Sequence, residues 1–237
     1  MIEIKQPSSI GRMLTHIAQL FTPAVMMSTP LWSLLALALS LLTALWVRPW
    51  RQLRNPHIWT PVLASLVFLP WFWALPRLHA MPLQLQLTGS VLVTLMLGWP
   101  MAVWVLLCIA WISSWIAPTA EGVWLEQWFE LAWLPSSLAL LLGAALRRYA
   151  PPHPFIFILG RGFLGAALCI FAARGLTVLL DDTPSTVDPG LSLVAQWLMA
   201  WGDAFLTGLL TAVFVAFKPE WLATWSDQLY LHKSTRD

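Results

Sequence analysis

Long apolar runs alternate with short polar stretches along this chain, and the short stretches hold nearly all of the charge. Runs such as 31–47 and 191–217 have the length that an α-helix needs to cross the hydrocarbon core of a bilayer. Prolines and charged residues recur at the ends of the runs, where proline disturbs a helix least. The pattern predicts seven membrane-spanning helices, at 31–47, 59–76, 84–98, 100–117, 131–146, 155–180 and 191–217. The third and fourth helices are so close in sequence that we expect a tight hairpin.

Composition agrees with this prediction and excludes a water-soluble globular domain. Of the 237 residues, 59% are hydrophobic and 10% are charged, a balance typical of multi-pass membrane proteins. Apolar residues from Ile10 to Phe21 recur at helical spacing with polar residues between them, which predicts an amphipathic helix in the membrane interface. We therefore expect an all-α membrane protein with an N-terminal interfacial segment at 1–29, a transmembrane helical domain at 30–218 and a cytoplasmic tail at 219–237.

The basic residues predict the orientation of the chain in the membrane. Loops on the cytoplasmic side of a membrane protein are enriched in Lys and Arg. In the seven-helix arrangement, one side collects most of the basic residues, namely Arg48, Arg51, Arg54, Arg147, Arg148, Lys218, Lys233 and Arg236. That side is predicted to be cytoplasmic, which places the N-terminus outside and the C-terminus inside.

Three ionisable residues fall within predicted helices, where charge is costly and usually faces a partner or a wet cavity. Arg161 lies near the cytoplasmic end, Arg174 toward the outer end and Asp203 near mid-depth. Two interpretations of Asp203 stay open. In one, it forms a structural ion pair with Arg174, supported by Thr207 one turn further along the same helix face. In the other, it belongs to a substrate or proton site.

The last predicted helix also carries small residues at four-residue spacing, namely Ala204, Gly208, Ala212 and Ala216. Small side chains at this spacing let two helix backbones approach closely in a membrane. The stripe is therefore either an ordinary packing surface within the bundle or a docking surface for another membrane subunit.

The sequence lacks the motifs that several function classes require. It contains no His-Glu-x-x-His metal motif, no Gly-x-Ser-x-Gly nucleophile motif and no Gly-x-x-x-x-Gly-Lys nucleotide loop. We therefore expect neither an enzyme nor a protein that hydrolyses ATP by itself. Nucleic-acid binding is also not expected, because the net charge of +2 is spread over the loops.

Three stretches of the chain resemble one family of transport proteins. They are Leu85 to Gly98 (LQLTGSVLVTLMLG), His153 to Ala167 (HPFIFILGRGFLGAA) and Gly202 to Leu231, which begins GDAFLTGLLTAVFVAFKPEW. Together they are similar to the proteobacterial branch of the CbiM-like energy-coupling-factor permeases. The resemblance implies a seven-helix substrate-capturing component in the bacterial inner membrane. It also implies a transmembrane coupling subunit and a cytoplasmic ATPase as partners, and a transition metal ion such as cobalt or nickel as substrate.

The chain departs from that family at the positions expected to bind metal. Metal-binding relatives begin with Met-His and carry a histidine in the motif matched by 85–98, whereas this chain begins Met-Ile-Glu and has Gln86 in that motif. A carboxamide is a poor substitute for imidazole as a ligand of cobalt or nickel. Among the remaining histidines, His16 and His79 are the candidate metal ligands on the outer side.

Two functions stay open from these observations. The first is the substrate-capturing component of an uptake system, with a polar site that comprises Asp203, Arg174, Gln86 and Thr207. The alternative is a membrane protein that transports nothing and anchors or assembles a partner through the last helix and the C-terminal tail. No covalently bound cofactor is expected in either case.

Overall fold

The computed structural model of the chain describes residues 31–48, 52, 54–79, 86–118, 122–151, 153–180 and 189–226. The predicted interfacial segment at 1–29 lies outside these ranges. Within them the chain is helical and has no β-strand. The described helices are α1 (Leu31–Val47), α2 (Trp59–Leu78), α3 (Ser90–Leu97), α4 (Trp99–Ile116), α5 (Val123–Tyr149), α6 (Ile156–Leu164 continued by Gly165–Leu180) and α7 (Pro189–Phe217).

Five of the described helices are long and apolar enough to cross a bilayer. They are α4, α5, α6, α7 and α2 together with the turn that precedes it, and α1 is a shorter apolar helix of 17 residues. Large apolar side chains cover the outside of the bundle, as on α1, where Trp46 and Leu45 are exposed. Such a surface is stable in lipid and not in water. The protein is therefore an α-helical multi-pass membrane protein, as the apolar pattern predicts.

The third predicted spanning helix, at 84–98, is replaced by the short helix α3. With eight residues, α3 is about 12 Å long and cannot cross a bilayer by itself. Residues 86–89 before it are non-helical, and all eight helix residues are buried. Gly98, with a φ of 75°, is the single residue between α3 and α4, which pack on each other as the predicted tight hairpin requires. The third segment is therefore a half-length helix inside the bundle.

Helix α5 begins eight residues earlier than predicted, at 123 instead of 131. It contains a π-helical turn at Phe129–Trp133, and it carries Glu126 and Glu130, which precede the predicted start of the helix. A helix of 27 residues is about 40 Å long, which exceeds the thickness of the hydrocarbon core. Its first turns therefore reach the interface, where carboxylates are tolerated.

Charged groups meet at the two opposite ends of the bundle. At one end, His57 Nδ1 before α2 lies 3.9 Å from Glu220 Oε1 after α7. At the other end, Arg174 Nη1 on α6 lies 3.9 Å from Glu130 Oε2 near the start of α5. Arg147 lies at the far end of α5 from Glu130 and so belongs to the His57 end. Segments that were predicted to share the cytoplasmic side thus meet at one end of the bundle.

Candidate functional site

The carboxylate of Asp203 is the centre of a buried polar cluster. Asp203 lies on α7 and is 1% exposed. Its Oδ2 atom accepts a hydrogen bond from the backbone N–H of Thr88 at 2.6 Å and another from the Thr88 hydroxyl. The N–H of Gly89 donates to the same oxygen at 3.2 Å. These three donors satisfy a carboxylate that would be costly to bury alone.

The unwound backbone before α3 supplies two of these donors. Residues 86–89 are non-helical, and Gly89 has a φ of 60°, a left-handed conformation that glycine adopts without strain. The N-terminus of a helix carries a partial positive charge, which favours a carboxylate beside it. Asp203 on α7 holds the backbone immediately before α3, and it thereby fixes the start of α3 inside the bundle.

Serine and threonine hydroxyls extend the cluster along α3. The Ser90 hydroxyl donates to Thr88 Oγ1 at 3.2 Å. One turn later, the Thr94 hydroxyl lies 2.8 Å from the Ser90 carbonyl oxygen and 2.9 Å from Ser136 Oγ on α5. All of these side chains are buried. A row of buried oxygen atoms therefore leads from Asp203 along α3 to α5.

Two glutamine side chains close the cluster on the side of α2. The Nε2 atoms of Gln86 and Gln127 both donate to the Trp73 carbonyl oxygen, each at 3.2 Å. The Trp73 indole N–H in turn donates to the Thr88 carbonyl at 3.1 Å. The carbonyl and the indole of Trp73 thus connect α2 to both glutamines and to the unwound residues before α3.

The structure brings two of the four predicted polar-site residues into this cluster. Gln86 and Asp203 are connected through the hydrogen bonds of Trp73 and Thr88. Thr207 is buried on α7 one turn after Asp203, as the helical spacing predicts. Arg174 lies on α6, outside the cluster.

Arg174 pairs with Glu130 and not directly with Asp203, which corrects the ion-pair prediction. Its Nη1 atom lies 3.9 Å from Glu130 Oε2, and it acts on Asp203 as a more distant positive charge. Two features explain the difference. The start of α3 occupies the acceptor positions of the Asp203 carboxylate. In addition, the early start of α5 places Glu130 on a helix, within reach of Arg174.

Within the described ranges, no histidine joins the cluster. His79 ends α2 at the surface, with Nδ1 3.1 Å from the Leu75 carbonyl oxygen, and His16 lies outside the described residues. No three His, Cys, Asp or Glu side chains converge in the described part of the chain. The side chains beside Asp203 are the hydroxyls of Thr88 and Ser90, and oxygen ligands of this kind suit hard cations better than cobalt or nickel. The backbone N–H groups there can bind only an acceptor such as the carboxylate.

The small-residue stripe on α7 is used in part within the chain's own bundle. Ala204 and Gly208 are buried, Ala212 is half-buried and Ala216 is exposed. A Cβ atom added to Gly208 would lie 2.9 Å from the Cβ atom of Phe163 on α6. The first half of the stripe therefore lies in a close contact between α7 and α6, while its last residue faces outward.

Several parts of the site were missed by the sequence analysis, namely Trp73, Thr88, Gly89 and Gln127. Thr-Gly-Ser at 88–90 is a turn signal within an apolar run, and it indicates a break in the helix. Gln127 precedes the predicted start of α5 at 131, so it lies outside every predicted helix. Trp73 resembles the many other tryptophans of the chain, and the sequence offers no signal for its role.

No family model matches this chain, and no curated protein or solved structure is significantly similar to it. The geometry around Asp203 and the resemblance of the three stretches are therefore the grounds for a functional proposal. An interrupted helix inside a membrane bundle is an arrangement that transporters use to bind substrates and ions.

Proposed function

We propose that this protein is the membrane-embedded, substrate-capturing component of an uptake system of the energy-coupling-factor type, and that Asp203 and the unwound start of α3 form its substrate site. The observation that carries the proposal is the buried Asp203 carboxylate at the N-terminus of an interrupted helix. Transporters commonly bind substrates where a helix is interrupted, because unwound backbone offers hydrogen-bonding groups to a ligand. The resemblance of the three stretches supports the same class.

In this proposal Asp203 binds a cationic substrate. It is the only buried acidic side chain among the described residues, and the hydroxyls of Thr88 and Ser90 lie beside it. The carboxylate is occupied by Thr88 and Gly89, so substrate binding requires α3 to shift away from α7. The resemblance implies a transition metal ion as substrate, whereas the oxygen-rich surroundings favour a harder cation.

Two contacts support seven crossings of the membrane despite the short α3. Near the end of α3, the Leu95 carbonyl accepts a hydrogen bond from Thr224, which follows α7. Glu220, also after α7, lies beside His57, which precedes α2. The end of α3 therefore lies near the start of α2, and we propose that the third segment completes a crossing between the two ends of α2. Within it, residues 86–89 are unwound backbone, which is tolerated where it is buried in protein.

A component of this kind needs partners that supply energy. The chain has no nucleotide-binding loop, so uptake would depend on a transmembrane coupling subunit and a cytoplasmic ATPase in the bacterial inner membrane. The end of the bundle that carries Arg147 and residues 219–226 is proposed to face the cytoplasm. That end is the one available to such partners.

Co-purification and ion uptake test the proposal. The full chain, extracted in mild detergent from the membrane of its own host, is expected to bring a membrane subunit and an ATPase with it. Cellular accumulation of cobalt, nickel and magnesium ions is measured by elemental analysis. Accumulation of one ion is expected to fall in Asp203→Asn, which keeps the side-chain shape but removes the charge. It is expected to persist in Glu220→Gln, the same change on an exposed residue.

The alternative function is a membrane anchor that assembles a partner through α7 and the C-terminal segment. One observation favours it, an exposed apolar stripe along α7 at four-residue spacing, formed by Phe205, Leu209, Val213 and Phe217. Such a stripe can contact a partner helix as well as lipid. An anchor would keep its partner in Asp203→Asn and lose it when the stripe is changed, whereas a substrate-capturing component would lose uptake in Asp203→Asn.

A further inference from the structure

The chain after α7 folds back onto the C-terminal end of α3. The N–H of Ala223 donates to the Met96 carbonyl at 2.8 Å, and the N–H of Thr224 donates to the Leu95 carbonyl at 3.3 Å. The Thr224 hydroxyl donates to the same Leu95 oxygen at 2.8 Å. The last carbonyls of a helix have no donor within the helix. Residues 223 and 224 therefore complete the hydrogen bonding of α3 from outside it.

Buried contacts attach this segment to the rest of the bundle. Leu222 is 2% exposed and Trp225 is 9% exposed. The Trp225 ring packs edge-to-face on Phe157 of α6, with the ring centroids 4.9 Å apart. The Arg147 guanidinium at the end of α5 donates to the Thr224 carbonyl at 3.3 Å. The apolar burial and the hydrogen bond together hold residues 222–225 in one position.

Helix α3 is thus held at both ends by the last part of the chain. Asp203 binds the N–H groups of Thr88 and Gly89, the two residues before its start, and residues 223–224 bind the carbonyls at its end. A helix of eight residues has little stability of its own, because its nucleation cost is spread over few hydrogen bonds. The position of α3 therefore depends on these two attachments and on packing.

Glycines with positive φ values flank α3 on both sides. Gly89 and Gly98 have φ values of 60° and 75°, which other residues rarely adopt. A Cβ atom added to Gly98 would meet nothing within 4 Å, so the backbone there has open space. Residues that join rigid segments in this way often act as hinges. Gly89 and Gly98 are therefore the candidate hinges of α3.

We propose that residues 222–225 form a latch that keeps α3 seated on Asp203, and that release of this latch at one end of α3 frees the carboxylate at the other end. The inference rests on the proposed function in one respect, because it makes the latch the regulator of the substrate site. A protein or ligand that binds the released latch better than the docked one would shift the site toward its open state.

Hydrogen–deuterium exchange of the full-length protein in detergent tests the latch without any substrate. Ala223→Pro removes the N–H that binds the Met96 carbonyl. It is expected to speed exchange about tenfold at residues 222–225 and also at residues 86–97. The matched control is Ser226→Pro, one residue beyond the latch. Ser226 is exposed, and its N–H donates to no backbone carbonyl in the described part of the chain, so exchange at 86–97 is expected to stay unchanged.

Two further variants test the proposal independently, in case Ala223→Pro fails to fold. Trp225→Ala releases the latch by removing its buried ring, and Thr224→Val removes only the hydroxyl bond to Leu95. Any variant that speeds exchange at 222–225 is expected to speed it at 86–97. Faster exchange at 222–225 with unchanged exchange at 86–97 overturns the proposal, and so does unchanged exchange at 86–97 in all three variants.

The outcomes separate the latch from the proposed function. If exchange at 86–97 follows exchange at 222–225 but Asp203→Asn accumulates ions normally, the latch proposal is supported and the substrate site is ruled out. If the two exchange rates are independent but Asp203→Asn loses accumulation, the substrate site is supported and the latch is ruled out.

Discussion

The Asp203 carboxylate and the backbone N–H of Thr88 are 2.6 Å apart, although 115 residues separate them in the sequence. This hydrogen bond joins the last helix to the break before α3. Asp203 is therefore both the attachment of the backbone before α3 and the centre of the candidate site. A ligand of Asp203 has to compete with the N–H groups of Thr88 and Gly89, so binding at this carboxylate is linked to the position of α3.

Asp203→Ala is expected to destabilise the protein by about 3 kcal/mol, because the buried donors of Thr88 and Gly89 lose their acceptor. Asp203→Asn is expected to cost about 1 kcal/mol, because its carboxamide oxygen still accepts from the N–H of Thr88. Thermal melts of the purified variants in one detergent measure both effects. Equal melting temperatures for wild type and Asp203→Ala would show that the fold does not depend on the hydrogen bonds of Asp203 with Thr88 and Gly89.

The sequence predicts the five long helices of this fold. It does not predict that the third segment is a short helix preceded by unwound backbone. Bilayer length and proline positions are properties of consecutive residues, so the five long helices could be predicted from the apolar runs. Asp203 could be found because an acidic residue contrasts with its apolar neighbours. Thr88 shows no such contrast, and its pairing with Asp203 is a tertiary contact. The partner of Arg174 depends on where α5 begins. Because the predicted start of α5 was too late, Glu130 could not be recognised as a helix residue within reach of Arg174.

Arg174→Ala and Glu130→Gln are expected to be coupled, because Arg174 Nη1 and Glu130 Oε2 lie 3.9 Å apart. Both side chains are partly exposed, so the coupling free energy is expected to be about 0.5–1 kcal/mol. Coupling between Arg174→Ala and Asp203→Ala is expected to be smaller, since the direct partners of Asp203 are Thr88 and Gly89. Double-mutant cycles built from thermal melts compare the two. A larger coupling of Arg174 with Asp203 than with Glu130 would support a direct ion pair between Arg174 and Asp203.

Gly208→Leu is expected to destabilise the isolated protein, because even a Cβ atom at this position would lie 2.9 Å from Phe163. The expected cost is about 2 kcal/mol, typical of overpacking in a close contact. Gly202→Leu is the matched control, the same substitution on the same helix, where an added Cβ meets nothing within 4 Å. A lower melting temperature is expected for Gly208→Leu alone. An unchanged melt with lost co-purification would instead identify this part of the stripe as a docking surface.

Reporters at two positions test the predicted orientation. A reporter fused after Asp237 is expected in the cytoplasm, because the basic residues cluster at the end of the bundle from which the tail emerges. A reporter inserted between Ala120 and Gly122 is expected outside. An insertion after Arg54 is the internal control, since Glu220 of the C-terminal segment lies beside His57. It is expected to report the same side as the reporter after Asp237.

The relation between the two main reporters does not depend on the first half of the chain. Three long helices, α5, α6 and α7, separate 120–122 from the C-terminus. An odd number of crossings places these positions on opposite sides of the membrane, whether or not α1 and α3 cross it. Two reporters on the same side would therefore mean that one of the three helices does not cross the membrane. Reporters on opposite sides with an external C-terminus would agree with the bundle but reverse its orientation in the membrane. The latch of residues 222–225 would then lie out of reach of a cytoplasmic ATPase.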